Sequence, residues 1–378
     1  MPRSCEALKK LKLEIIVESS AGLEAGFTDD EYVKRGVKMA SRAEVFAEAN
    51  IIAQARSLGA NPENGRADLA LLRPGQIVFG FGEPLTALQD DQAIAATGVT
   101  FFAMELVPRI TRAQAMDALS SMASIAGYEA VLMAASALPK IFPMMMTAAG
   151  TLTPAKVLIL GAGVAGLQAI ATARRLGAVV HAYDVRSAVK EQIESLGAKF
   201  VVLDMGGQSA EGTGGYAKAM DEAFYRRQRE QLALVIKEQD VVITTAAVPG
   251  RKAPVLVTRE MAEVMAPGSV IVDIAAERGG NCELTVAGRT VMHNGISIIG
   301  PTNIPSLAPA HASQMYGTNI VNLLKLMINK EGALKIDLND EVIRETMVSH
   351  EGQIVNARIK ELLGVTADGV TNQGVAKA

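Results

Sequence analysis

Val157-Leu158-Ile159-Leu160-Gly161-Ala162-Gly163-Val164-Ala165-Gly166 is the stretch that decides the fold. Four apolar residues run into G-x-G-x-x-G, an apolar helical pattern follows from Leu167 to Leu176, and a second strand pattern ends at Asp184. Alone, the glycine spacing is a weak signal; inside a strand–turn–helix–strand it reads as a dinucleotide-binding turn. The three glycines differ in role. Gly161 permits the tight turn, Gly163 lets a pyrophosphate approach bare main chain, and Gly166 lets the helix sit close on the strand. The helix N-terminus, with Val164 and Ala165 in its first turn, then offers unpaired N–H groups and a partial positive charge to the phosphates. Asp184 closes the second strand where it can accept from the adenosine ribose hydroxyls, with Val185 and Arg186 beside it. A carboxylate there repels a 2′-phosphate and favours NAD over NADP. Arg186 argues the other way, and the strand-end position gives Asp184 the greater weight. The alternative is a structural glycine turn that binds nothing.

Working outward, six strand patterns make up a complete dinucleotide fold: 156–160, 179–183, 199–203, 241–245, 269–274 and 296–299. Ligands in such sheets lie off the carboxyl ends of the strands. Thr244-Thr245-Ala246-Ala247 and the run from Asp273 to Gly280, with Glu277, therefore face the same cleft, where the small residues leave room for the nicotinamide-side ribose. Ordinary βα turns account for these two loops equally well. Met205 to Ala217 is glycine-rich, and either a lid that brings Tyr216 over the cofactor or a plain surface loop fits it.

Before this unit, short apolar runs at 13–17, 50–53, 76–79 and 99–103 alternate with helical stretches, which indicates βαβ units and a largely parallel sheet. Thr28-Asp29-Asp30-Glu31 has the spacing of a capping box. The chain opens directly into a helical stretch, Cys5 to Leu11, with no strand ahead of it. Thr111 to Ala135 reads as one long helix connecting two domains. A helix at 310–328 and a hairpin around His350-Glu351-Gly352 lie beyond the six strands and are expected to return to the first domain. The expected organisation is a Rossmann domain, 121–304, inserted into a second flavodoxin-like or Rossmann-like α/β domain made of 1–120 and 305–378.

Composition narrows the function. A chain of 378 residues with 49% hydrophobic and 20% charged residues is globular and long enough for two cores. A net charge of −3 gives no reason to expect nucleic acid. Two cysteines, Cys5 and Cys282, offer neither a disulfide framework nor metal-ligand spacing, and suit a cytoplasmic compartment. The most apolar stretch, 131–160, is interrupted by Lys140, Pro143, Pro154 and Lys156, so no segment reads as membrane-spanning.

Glu105-Leu-Val-Pro-Arg109-Ile-Thr-Arg-Ala-Gln114-Ala-Met-Asp117-Ala-Leu-Ser120-Ser121 closely resembles the NAD(H)-binding component of proton-translocating transhydrogenase. So do Phe142 to Gly150, Gly161 to Ile170 and Gly214-Gly-Tyr-Ala-Lys218, and the likeness runs from about Glu6 to about Leu363. The family resembles alanine dehydrogenase in fold. The resemblance implies a homodimer that passes hydride between its own NAD(H) and NADP(H) on a partner subunit. Membrane-spanning proton-channel subunits couple the transfer to proton movement, which would place the chain at the cytoplasmic side of the inner membrane. It also implies that Arg109, Gln114 and Asp117 hold the nicotinamide end, with Ser120 alongside. Gln114 and Asp117, three apart, would share one helix face. Without the resemblance, an ion pair between Arg109 and Asp117 explains the same residues.

Alanine-dehydrogenase-like chemistry needs a proton donor beside the substrate carbonyl. The four histidines are His181, His293, His311 and His350, no lysine occurs between Lys38 and Lys140, and Gln76 to Pro84 offers only Glu83. Exchange between two nicotinamides needs no such group, so the absence favours transhydrogenation. A non-catalytic NAD-binding subunit on the same fold stays open. One departure stands out: the strand and basic loop with which the family usually begins have no counterpart before Glu6.

Overall fold

The computed structural model describes residues 1–204 and 222–364. It divides into two compact units, one of Met1–Ser121 with Pro309–Ala378 and one of Met122–Ala308.

The first unit begins with helix α1 (Pro2–Lys9), followed by β1 (Ile16–Glu18), α2 (Asp29–Val33), β2 (Lys38–Ala40) and α3 (Arg42–Glu48). Then come β3 (Ile51–Arg56), β4 (Ile77–Phe81), α4 (Leu88–Ala96) and β5 (Thr100–Ala103). Thr28 opens α2 as its spacing predicts, with the Glu31 carboxylate accepting from the Thr28 N–H at 3.0 Å. A second box of the same kind, Ser41-x-x-Glu44, opens α3 and is not anticipated from the sequence. The apolar run at 13–17 yields only the short β1, and its partner is the unforeseen β2, in a separate two-stranded parallel sheet.

Helix α5 (Ala118–Ala137) crosses from the first unit to the second. By length and apolar composition it could span a membrane. Its Ala130, Val131 and Ala134 are instead fully buried in the second unit's core. The single helix expected over 111–135 is in fact broken. Thr111–Met116 form a 3-10 turn, Asp117 adopts an extended conformation at φ −70° and ψ 91°, and α5 starts one residue later. The Asp117 carboxylate is what breaks it, by turning back to cap the new helix.

The second unit continues with β6 (Met145–Thr147), β7 (Gly150–Leu152), β8 (Lys156–Leu160), α6 (Val164–Arg175), β9 (Val179–Tyr183), α7 (Lys190–Ser195) and β10 (Lys199–Phe200). It closes with α8 (Glu222–Ile236), β11 (Val241–Thr244), α9 (Arg259–Glu263), β12 (Val270–Asp273), β13 (Arg289–His293) and β14 (Ile296–Gly300). Seven of its strands form one sheet, β10-β9-β8-β11-β12-β14-β13, parallel except for the hairpin β13–β14, and β6 and β7 pair apart as an antiparallel ribbon. The sheet is covered on both faces. Val157 and Ile159 of β8 join one core with Ile170, Val180 and Ile243, while Leu158 and Leu160 join another with Val242, Ile271 and Ile298. A strand buried on both sides must be apolar at every position, which is why Val157 to Leu160 shows no alternation.

The chain then returns to the first unit through α10 (Pro309–Met327), α11 (Glu341–Thr346), β15 (Met347–His350), β16 (Gln353–Ile354) and α12 (Ala357–Leu362). The first unit's main sheet is β16-β15-β5-β4-β3, with β3, β4 and β5 parallel and β15 antiparallel to β5. Ile320, Leu323, Leu324 and Met327 of α10 are buried against Phe79 and Phe102 of that sheet.

Candidate functional site

In the second unit the strand order reverses between β8 and β11, where β9 and β10 lie to one side and β12 to the other. A crevice outside the carboxyl ends of the strands opens at such a switch point. Gly161 to Gly166 occupy that edge. Gly161 has φ +101°, a conformation L side chains avoid, and a Cβ there would lie 2.6 Å from Thr245 Oγ1. A Cβ on Gly166 would run into the Gly161 carbonyl oxygen, so this glycine is what lets α6 seat on β8. Gly163 is different: a Cβ there would meet nothing within 4 Å. It N-caps α6 with no side-chain cap bond, and it is exposed, as is Val164. Among the described residues, then, no side chain caps the first-turn N–H groups of α6 and nothing fills the space in front of Gly163. A diphosphate fits this cradle.

Asp184 lies one strand over and is 8% exposed. Its Oδ2 accepts from Ala162 N at 2.8 Å and from Arg186 Nη2 at 2.7 Å, and its Oδ1 accepts from Arg186 N at 2.9 Å and Nε at 2.8 Å. The carboxylate therefore both ties down the glycine turn and holds the Arg186 guanidinium. Val185 packs half-buried on the core beneath.

The turn after β11 abuts the glycine turn and is itself bonded to the segment after β12. Thr245 Oγ1 donates to Gly161 O at 3.1 Å, and Ala246 N donates to Asn281 Oδ1 at 3.0 Å. Ala247 and Glu277 are exposed on these turns. Tyr216 lies outside the described residues. Gln228, not anticipated as a site residue, is 1% exposed and donates to the Tyr183 hydroxyl at 3.0 Å.

In the first unit, Arg109 is exposed shortly after β5, and Gln114 is exposed on the 3-10 turn. Asp117 is committed to α5: its Oδ1 accepts from Ser120 N at 2.9 Å and its Oδ2 from Ser120 Oγ at 2.6 Å. Gln114 and Asp117 accordingly do not share a helix face, and the Asp117 carboxylate goes to Ser120 rather than to Arg109. Flanking bonds fix the segment. Arg112 grips Asp340 with two bonds of 2.9 and 2.7 Å, and Ala115 O accepts from Asn319 and Asn322 of α10 at 3.0 and 3.2 Å.

Sequence reasoning missed two buried acids near the end of β4. Glu105 Oε1 accepts from the N–H groups of Gly82 and Glu83, each at 2.8 Å, while its Oε2 is buried without a partner among the described residues. Asp91 on α4 is 0% exposed, and both its oxygens lack partners there too. Burial, with the nearby Glu105 charge second, raises Asp91 to about 8, and burial raises Glu105 to about 7. Their signal was faint: an aspartate amid Leu88, Ile94 and Ala95, and a glutamate flanked by Met104 and Leu106.

Comparison with known proteins then fits the geometry. Residues 1–126 match the family model described as alanine dehydrogenase/PNT, N-terminal domain, and residues 130–357 match its C-terminal domain. The chain is 45% identical over 358 residues to an NAD(P) transhydrogenase subunit alpha polypeptide of Rhodospirillum rubrum, covering 94% of this chain and 93% of that one. It superposes on the crystal structure of transhydrogenase from Sinorhizobium meliloti with a TM-score of 0.84 at 44% identity, covering 94% of this chain and 95% of the other. Alanine dehydrogenase of Methanococcus maripaludis is more distant, at 29% over 287 residues, 75% of this chain and 69% of that one. The chain belongs to the alanine dehydrogenase/PNT family, and within it stands with the transhydrogenase alpha subunits.

Proposed function

We propose that this chain is the NAD(H)-binding component of a proton-translocating transhydrogenase. Hydride passes between NAD(H) held here and NADP(H) held by a partner subunit. Membrane-spanning subunits couple that transfer to proton movement, and the chain acts as a homodimer at the cytoplasmic side of the inner membrane. The observation that carries the cofactor assignment is the uncapped, open turn at Gly163, beside a carboxylate that anchors the same turn. Similarity to chains named NAD(P) transhydrogenase subunit alpha supports the reaction class.

When bound, the nicotinamide supplies or receives the hydride. The residues of this chain do the rest. Main-chain N–H groups at the start of α6 take the phosphates, and Asp184 takes the adenosine ribose, with Val185 and Arg186 at its side. Thr245, Ala246, Ala247 and Glu277 line the far turns of the second unit, with Tyr216 as a further candidate. Arg109, Gln114, Asp117 and Ser120 present the first unit's polar groups for the nicotinamide end. No proton moves at a protein atom in a direct hydride exchange, so what the site must do is orient the ring and exclude water.

Titration with NADH and NADPH, followed by hydride exchange with an NADP-loaded partner subunit, tests this. NADH binding in the micromolar range, on the order of −7 to −8 kcal/mol, is expected together with exchange. Unaided reduction of pyruvate with ammonia would make the chain an alanine dehydrogenase instead. NADH binding with no exchange would make it a non-catalytic NAD-binding subunit.

A further inference from the structure

We propose that Asn281 is a positioning residue that fixes the turn after β11, and with it the width of the nucleotide crevice, through a two-way hydrogen-bond lock on Ala246. The proposal rests on the cofactor reading above and extends it to a residue outside the nucleotide-contacting set.

Asn281 is 0% exposed and lies eight residues beyond the end of β12. Its Oδ1 accepts from Ala246 N at 3.0 Å, and its Nδ2 donates to Ala246 O at 2.8 Å and to Pro254 O at 2.7 Å. One amide thus meets both polar groups of a single turn residue, a pattern an asparagine side chain can satisfy in one orientation only. It also ties that residue to the segment leading into α9. Thr245, the residue before, is held by its N–H to Leu160 O at 2.9 Å, while among the described residues no backbone bond reaches Ala246, whose two polar groups are held by the Asn281 side chain.

Asn281 is itself held from behind. Asp273, the last residue of β12 and 0% exposed, accepts five hydrogen bonds. Oδ1 takes Thr244 Oγ1 at 2.9 Å and Ala275 N at 3.0 Å; Oδ2 takes Asn281 N at 2.7 Å, Cys282 N at 3.0 Å and Thr285 Oγ1 at 2.7 Å. Gly280 makes this approach possible, since it has φ +79° and a Cβ there would lie 2.7 Å from Asp273 Oδ2. The carboxylate joins the ends of β11 and β12 and pins the main chain from which the Asn281 side chain projects.

At its other end the lock reaches the phosphate turn. The Cβ that Gly161 lacks would stand 3.4 Å from Ala246 N. The Ala246 turn and the glycine turn are therefore neighbours across the switch point, and a displacement of one changes the gap between them. Contacts supported by packed and bonded neighbours hold their geometry far better than loops left to themselves.

The test compares Asn281→Ala and Asn281→Asp with the unaltered chain, measuring the NADH dissociation constant and the hydride-exchange rate with an NADP-loaded partner subunit. The start of α6 and Asp184, which would take phosphate and adenosine, receive no bond from the Asn281 side chain, so the dissociation constant should change less than about threefold. The exchange rate should fall about tenfold or more, because on the cofactor reading the Ala246 turn lies at the nicotinamide-side ribose, where orientation decides the transfer. Asn281→Asp sets an acceptor oxygen against the Ala246 and Pro254 carbonyl oxygens in a fully buried place, and should lose at least as much exchange as Asn281→Ala. An exchange rate equal to that of the unaltered chain overturns the proposal, as does a loss shared equally between binding and exchange. A third measurement needs no variant: hydrogen exchange of the unaltered chain should show the Ala246 amide protected before nucleotide is added. Exchange at the speed of an open loop there removes the lock. The unaltered chain's own NADH titration reports on the cofactor reading, whereas amide protection and the exchange-to-binding ratio report on Asn281. The two can fail separately.

Discussion

Asp184 joins a structural bond to the proposed ribose contact in one carboxylate. Its four bonds go to Ala162 N and to the main chain and guanidinium of Arg186. Removing it would loosen the glycine turn and release an arginine that stands at the ribose end. Asp184→Ala should therefore weaken NADH binding about tenfold, or about 1.4 kcal/mol, and weaken NADPH binding much less. Parallel titrations of the two nucleotides check this, and an unchanged ratio between them would refute the selectivity role. The position of Asp184 was legible because a strand-end acid after a glycine turn has a fixed spacing. Its bond to Ala162 was not, because spacing says nothing about which donor reaches a carboxylate first.

The buried acids of the first unit make a pH prediction at the same scale. Asp91 rises from its ordinary 3.8 to about 8, chiefly by burial. The folded chain therefore holds a proton that the unfolded chain has released at neutral pH. With more protons bound in the folded state, stability falls as pH rises, beginning near the ordinary value and levelling off once the folded group ionises. Glu105, raised to about 7, acts in the same direction. Urea midpoints of the whole chain should decline between about pH 5 and pH 8, and Asp91→Asn should flatten the decline. A midpoint that climbs with pH would contradict the assignment.

At the scale of elements, close approach explains more than propensity does. The Gly166 position exists to admit the Gly161 carbonyl, and Gly127 of α5 plays the same part against the Ala165 carbonyl of α6, where its Cβ would also collide. Gly166→Ala should lower the stability of the chain by about 1 to 3 kcal/mol through overpacking and should weaken NADH binding by shifting the start of α6. Denaturant titration and NADH titration of the same preparation measure both. An alanine accepted without loss in either would mean that helix and strand are not packed as described. Strands β8, β9 and β11 were legible to within a residue, because short, mostly apolar runs of this length have few other readings. The break at Asp117 was hidden, because Thr111 to Ala135 keeps its helical period straight through it. Strand β13 carried a signal that passed unread: Asn294-Gly295, both at positive φ, is the two-residue turn that closes its hairpin with β14.

For the whole molecule, the topology gathers the proposed nucleotide contacts of the second unit at one edge of its sheet. The turns after β8, β9, β11 and β12 all leave from carboxyl ends, while the turn between β13 and β14 belongs to an antiparallel pair and lies outside that arrangement. Ligand binding to the folded state alone stabilises it by about 2.7 kcal/mol at a hundredfold excess over the dissociation constant, and the slowing of amide exchange should gather where the ligand's contacts lie. Hydrogen exchange of the entire chain with and without NADH should therefore show new protection around 161–166 and 184–186, with the 293–296 hairpin turn unchanged. A competing location exists in the first unit, a recess lined by Pro74, Ile77, Thr100 and His350 at the amino ends of β4 and β5. Parallel sheets place ligands at the opposite ends of their strands, so protection centred on that recess would mean that the glycine turn is only a turn.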